Sequence, residues 1–146
     1  MRYRPLGKSP LQVSELCLGT MMFGDETSAE DARRIVDHAA DNGVNFIDTA
    51  DIYAPSWDQM GHNERLVAKA LASYGDTSGI IVGTKGGITR GPGEAWGRDG
   101  SPEYIRSAVE ASLRRLRTDW IDLYQLHRDD PSTPLAETLE ALDALV

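Results

Sequence analysis

The sequence predicts an α/β chain whose strands pair in parallel and curve toward a barrel, and three observations lead there. First, a short run of β-branched and large apolar residues is followed four times by a turn and a segment with helical spacing. Strands alternating with helices pair in parallel, and parallel sheets are covered by helices or closed into barrels. Second, an open sheet binding a dinucleotide would place G-x-G-x-x-G after its first strand, and Leu18-Gly-Thr-Met-Met-Phe-Gly24 does not match. Gly83-Thr-Lys-Gly-Gly87 is no phosphate loop either, since it lacks a glycine directly before the lysine and a Ser or Thr directly after it. Third, three of the four strands end in an ionisable residue, Asp48, Lys85 and His127. Parallel strands of a barrel bring such ends to one face, where barrel enzymes place their sites.

The strand candidates are Glu15–Gly19, Val44–Asp48, Ile80–Thr84 and Ile121–Leu126. Thr27 and Glu30 have capping-box spacing for the first helix, with Ile35, Val36, Ala39 and Ala40 as its inward stripe and Asn42-Gly43 as its stop. The second helix shows Leu66, Val67, Ala70, Leu71 and Tyr74 on one side. Ser101 and Pro102 open the third, whose face is Ile105, Ala108, Val109, Ser112, Leu113 and Leu116. Arg114, Arg115 and Arg117 read as a solvated end that complements the helix dipole. A fourth helix begins near Pro134 and carries Leu135, Leu139 and Leu142. A complete eight-unit barrel takes about 250 residues. The 146 residues here show four units and stop at Ala144-Leu145-Val146 without a helix cap, which reads as a truncated sequence. The open strand edges of such a half barrel predict self-association.

A chain of this length with 40% hydrophobic residues can bury a core. The net charge of −8 argues against a nucleic-acid or anionic-membrane partner, which would require a basic face. Cys17, the single cysteine, reads as a small core hydrophobe in a reducing compartment. No apolar stretch follows the basic residues of the first fourteen, and no run of 18 apolar residues occurs, so neither a signal peptide nor a spanning helix is expected and the protein is placed in the cytoplasm. His38 and His62 take surface or capping roles, and no metal site is implied.

Tyr53, five residues past Asp48, can return to the same mouth. A phenol is a poor proton carrier at neutral pH, and a nearby ammonium eases its ionisation. Lys85 can supply that charge, Asp48 can orient the lysine, and His127 can donate a hydrogen bond to a substrate oxygen. Such a set suits protonation of a carbonyl oxygen during hydride transfer. The glycine-rich loop Gly86–Gly100 follows Lys85 and is a candidate substrate wall; its Trp96, and Trp57 in the earlier loop, suit either an apolar substrate surface or the pinning of their own loops.

Val44-Asn-Phe-Ile-Asp-Thr-Ala-Asp-Ile-Tyr53 with Gly61-His-Asn-Glu64 resembles the signature of the aldo-keto reductases. Val82-Gly-Thr-Lys85 is similar to the family's lysine strand, Asp119–His127 to its histidine strand, and Tyr3–Gly7 through Met21 to its bottom-plugging hairpin and first strand. The resemblance implies that residues 1–146 are the N-terminal half of a (β/α)8 TIM barrel, preceded by a β-hairpin, with Asp48, Tyr53, Lys85 and His127 as catalytic tetrad. It also implies NADPH as cofactor, with NADH as the alternative, Gly19, Thr20, Met21 and Asp48 at its nicotinamide end, and a small carbonyl or alcohol substrate. The rival functions are an NADPH-binding regulatory barrel without turnover, an inactive fragment, and a sugar-phosphate isomerase or lyase on an unrelated barrel, because fold alone does not decide function.

Overall fold

A computed structural model describes residues 1–146. The chain opens with an antiparallel hairpin, β1 (Tyr3–Pro5) and β2 (Gln12–Ser14), in which Tyr3 pairs with Ser14. It is tied to the chain just ahead of the second sheet strand: Ser14 N–H donates to Asn45 Oδ1 at 2.7 Å, and Asn45 N–H donates back to Ser14 Oγ at 3.1 Å. The main sheet then forms from β3 (Leu18–Gly19), β4 (Phe46–Asp48), β5 (Ile81–Gly86) and, later in the chain, β8 (Leu123–Leu126). These strands lie in the order β3-β4-β5-β8 and every pairing is parallel. Helices α1 (Ala29–Asp41), α2 (His62–Tyr74) and α3 (Pro102–Leu116) connect them, and α4 (Leu135–Asp143) follows. The fold is α/β, with the four βα units and leading hairpin expected from the sequence. No helix is long and apolar enough to cross a membrane.

The core lies between the sheet and its helices, where Phe23, Ala32, Val36, Ile47, Val67 and Ala70 are buried together. Packed against them are Leu18, Leu66, Val82 and Leu116, so each early strand sends an apolar residue, Leu18, Ile47 or Val82, toward the helices. Ser101 caps α3 as expected, its hydroxyl accepting from Tyr104 N–H, with Pro102 in the first turn.

Several local expectations shift. The cap of α1 is Ser28, whose hydroxyl accepts from Asp31 N–H, one residue later than the Thr27–Glu30 box. Ile35 is exposed, and Ala32 with Val36, one turn apart, makes the buried stripe against the core. On α4 the leucines Leu135 and Leu139 point outward while Thr138 and Ala141 are buried; the Thr138 hydroxyl donates to Gly100 O at 2.7 Å. Cys17 is exposed, on the inner side of a sheet that nothing covers there. The Gly86–Gly100 segment is an ordered antiparallel hairpin, β6 (Ile88–Gly91) and β7 (Ala95–Arg98), rather than a flexible loop.

The altered α1 stripe and the α3 face give opposite mutational outcomes. Ile105 is fully buried on α3, so Ile105→Ala is expected to lower unfolding free energy by about 2–5 kcal/mol in urea titration. Ile35→Ala is expected to stay within about 0.5 kcal/mol of wild type; a core-sized loss there would restore the inward stripe read from the sequence.

Candidate active site

Side chains of a strand alternate between faces, so neighbouring strands in register line up their inner positions. In β4 the helix-facing residue is Ile47, which leaves Phe46 and Asp48 on the inner face. In β5 Val82 and Thr84 face the helices, leaving Gly83 and Lys85 inside. Gly83 sits beside Phe46, Leu123 and Gln125, which confirms the shared face. The absence of a side chain at Gly83 lets Phe46, Leu123 and Gln125 close over it, which brings Gln125 to Asp48.

Lys85 reaches across this face with all three ammonium protons engaged. Its Nζ donates to Asp48 Oδ2 at 2.8 Å, to Thr49 O at 2.7 Å and to Tyr53 Oη at 3.3 Å. The Lys85 side chain is only 13% exposed, and Asp48 is half-buried. Gln125 Nε2 lies 3.4 Å from the second Asp48 oxygen. His127, one residue beyond β8, donates its backbone N–H to Gly86 O at 2.8 Å, and its ring stands edge-on to Tyr53 with centroids 5.8 Å apart. Burial, aided by the Lys85 charge, holds the His127 imidazole below its usual range, so it is neutral at pH 7 and offers one N–H. Its Nδ1 is buried without a partner. The structure thus brings the four expected residues, Asp48, Tyr53, Lys85 and His127, to one mouth.

Of the other expected positions, Gly19 pairs with Asp48 across β3 and β4, and Met21 is exposed beside it. Thr20 is fully buried, and its hydroxyl faces Asp48 O at 2.9 Å and Asn63 Oδ1 at 2.7 Å. Gly19 and Met21 are therefore the two that present surface to a ligand. Trp96 is exposed under the Arg90 guanidinium, 4.8 Å from its ring centre. Arg90 also donates to Ala54 O at 2.7 Å and Pro55 O at 3.2 Å, and Trp57 N–H donates to Glu94 Oε1 at 3.1 Å, so the β6–β7 hairpin is fastened to the loop carrying Tyr53.

Behind the sheet lies a polar layer that sequence reasoning missed. Glu64, fully buried in the first turn of α2, accepts from Thr84 Oγ1 at 2.7 Å and pairs with Arg115 at 3.1 Å. Arg115 is thus not the solvated helix end expected from its neighbours. It lies over Gly61, where a Cβ would stand 2.2 Å from its Cδ and Nε and where φ is +76°, so this helix start requires glycine. Asp51, nearly fully buried and facing Glu64 and Arg115, has its carboxyl pushed up to about 7 by burial and then by the Glu64 charge. The same surroundings push the Tyr104 phenol up to about 12 and hold that of Tyr124 above its usual range, burial again leading. A signal for this layer was available in Thr84, a polar residue at a β5 position whose parity points to the helices.

Comparison with known proteins places this geometry. The model of the aldo/keto reductase family matches residues 15–146. An uncharacterised oxidoreductase of Bacillus subtilis is 42% identical over 146 residues, covering 99% of this chain and 45% of the relative. Among solved structures, an aldo-keto reductase from Bacillus halodurans in its holo form is 47% identical with a TM-score of 0.86, covering 99% of this chain and 46% of that one. A glycerol dehydrogenase from Gluconobacter oxydans is 34% identical with a TM-score of 0.81, covering 98% and 44%. The chain spans just under half the length of these relatives.

The Asp51 environment sets a pH signature. With a carboxyl raised from 3.8 to about 7, the folded state holds a proton across that window that the unfolded state has released. Stability conferred by that proton is therefore lost as pH rises through the window. Asp51→Asn is expected to gain stability over wild type at pH 8 relative to pH 5 in urea titrations; an equal difference at both values would show that Asp51 titrates normally.

Proposed function

The chain belongs to the aldo/keto reductase family, and from that premise we propose that it carries the acid–base site of an oxidoreductase that reversibly reduces an aldehyde or ketone to an alcohol. The observation that carries this reading is the triple contact of Lys85 Nζ with Asp48, Thr49 O and the Tyr53 phenol oxygen. Tyr53 gives its proton to the carbonyl oxygen and, in the reverse direction, takes it from the alcohol. The Lys85 ammonium, 3.3 Å from the phenol oxygen, stabilises the phenolate left behind. Asp48 keeps the lysine charged and aimed. His127, neutral and edge-on to Tyr53, donates its N–H to the same carbonyl oxygen and orients it.

The cofactor in this reading is NADPH, which when bound supplies the hydride to the carbonyl carbon. The residues at the β3 end fit its nicotinamide: Gly19 opens onto space where a Cβ would meet nothing within 4 Å, beside exposed Met21 and Asp48. The family resemblance favours NADPH over NADH. We further propose that residues 1–146 constitute the N-terminal half of an eight-unit barrel, working on small carbonyl compounds in the cytoplasm. The half-length match to the relatives supports it, as do β3 and β8, which each have a single strand neighbour. Those two edges also offer a route to self-association of the 146-residue chain.

The test is NADPH oxidation with an aromatic aldehyde, for this chain and for the chain extended by its natural downstream sequence. Tyr53→Phe in the extended protein is expected to lower turnover by about 10²–10⁴-fold with cofactor binding kept. An extended wild type that binds NADPH yet turns over no carbonyl compound would put a regulatory barrel in place of a reductase.

A further inference from the structure

The element Gly61-His-Asn-Glu64 enters the sequence argument only as the opening of a helix, yet its asparagine is the most fully bonded side chain near the site. Asn63 is fully buried. Its Nδ2 donates to Thr20 O at 2.5 Å and to Phe23 O at 3.0 Å. Its Oδ1 accepts from Thr49 Oγ1 at 2.6 Å and lies 2.7 Å from the Thr20 hydroxyl. Its backbone N–H donates to Tyr53 O at 3.2 Å. Two carbonyls face the amide nitrogen and two hydroxyls face its oxygen, so the orientation of the amide is determined by its partners.

Each partner belongs to a different piece of the site. Thr20 and Phe23 belong to the loop after β3, which contains Met21. Thr49 follows Asp48, and the Thr49 carbonyl accepts from Lys85 Nζ at 2.7 Å. Tyr53 is held through its own carbonyl. The loop between β4 and α2 is anchored elsewhere by Arg90 at Ala54 and Pro55 and by backbone bonds, Gly61 N–H donating to Asp51 O at 2.7 Å and Asp51 N–H to Lys85 O at 3.1 Å, but none of these reaches the β3 loop. No apolar side chain could serve all these groups, and a carboxylate would turn two donors into acceptors facing carbonyls.

We propose that Asn63 is the positioning residue of the acid–base site: its side chain ties the β3 loop to Thr49, whose carbonyl holds the Lys85 ammonium, while its backbone N–H holds the Tyr53 loop in the same frame. It touches none of the reacting groups and acts through Thr49 and the Tyr53 backbone. The inference rests on the reductase reading above, and it predicts that loosening Asn63 costs turnover more than substrate affinity. Misplacement of a reacting group by about 1 Å costs on the order of 10²-fold in rate.

The experiment compares wild type, Asn63→Ala, Asn63→Asp and Thr49→Val in the extended protein by steady-state kinetics, thermal unfolding and crystal structures. Asn63→Ala is expected to lower kcat about a hundredfold with KM changed less than about threefold. Thr49→Val, which removes one hydrogen bond into Oδ1 and keeps the shape, is expected to lower kcat about tenfold. Unchanged kcat alongside a lower melting temperature would reduce Asn63 to a structural residue and overturn the proposal. If Asn63→Ala does not fold, the Thr49→Val kinetics decide by the same criterion. Should the wild type reduce no carbonyl compound, the reductase reading fails and the crystal structures decide the positioning role. A widened Lys85–Tyr53 separation in Asn63→Ala or Thr49→Val supports it, and a separation kept at 3.3 Å overturns it.

Discussion

Parallel pairing in a single register sorts the residues of four strands into an inner face and a helix face, and the arrangement of the rest of the chain depends on that sorting. Ile47, Val82 and Thr84 go to the helices; Asp48, Lys85 and Gln125 go inside. A slip of one residue between β4 and β5 would drive Lys85 under α2 and turn Val82 and Thr84 toward Asp48. Buried charge without a partner costs several kcal/mol, roughly 3–5 when one member of a pair is removed. The register is therefore defended by polar residues as well as by the apolar core.

Strand β5 carries this logic on both of its sides. Lys85 meets Asp48 on the inner face while its neighbour Thr84 bonds to Glu64 on the helix face, where Arg115 completes the pair. The two ion pairs thus stand back to back across one strand. The outer pair ties α2 to α3 and leaves Asp51 as a carboxyl with no cation of its own, which is why burial and the Glu64 charge raise it toward neutrality. On the inner face the Lys85 ammonium has three acceptors for its three protons.

Strand and helix order was legible because it depends on periodicity, and the convergence of Asp48, Lys85 and His127 because they interrupt apolar runs at strand ends. What could not be read depends on helix phase and on side-chain reach. On α1 the packing selects Ala32 and Val36 for the core and leaves Ile35 outside, a phase the run Ile35, Val36, Ala39, Ala40 does not fix by itself. Arg115 looked like one of three similar arginines, and only its passage over Gly61 at the start of α2 selects it for Glu64. Gly, Pro and Thr in residues 86–100 suggested flexibility, whereas the pairing of Ile88 with Arg98 and Arg90 with Trp96 makes a hairpin. Thr20, matched by its place beside Gly19, is engaged in holding the loop together and has no free hydroxyl.

That hairpin is clamped at four points near its turn: Arg90 to Ala54 O and Pro55 O, Arg90 to Glu94, and Glu94 to Trp57 N–H. On the hairpin all four involve Arg90 or Glu94, so only Gly91, Pro92 and Gly93 stand beyond the clamp. Length and composition at that tip are mechanically decoupled from the Tyr53 loop. Exchange of a residue at that tip therefore leaves in place every bond that fastens the hairpin to the loop carrying Tyr53.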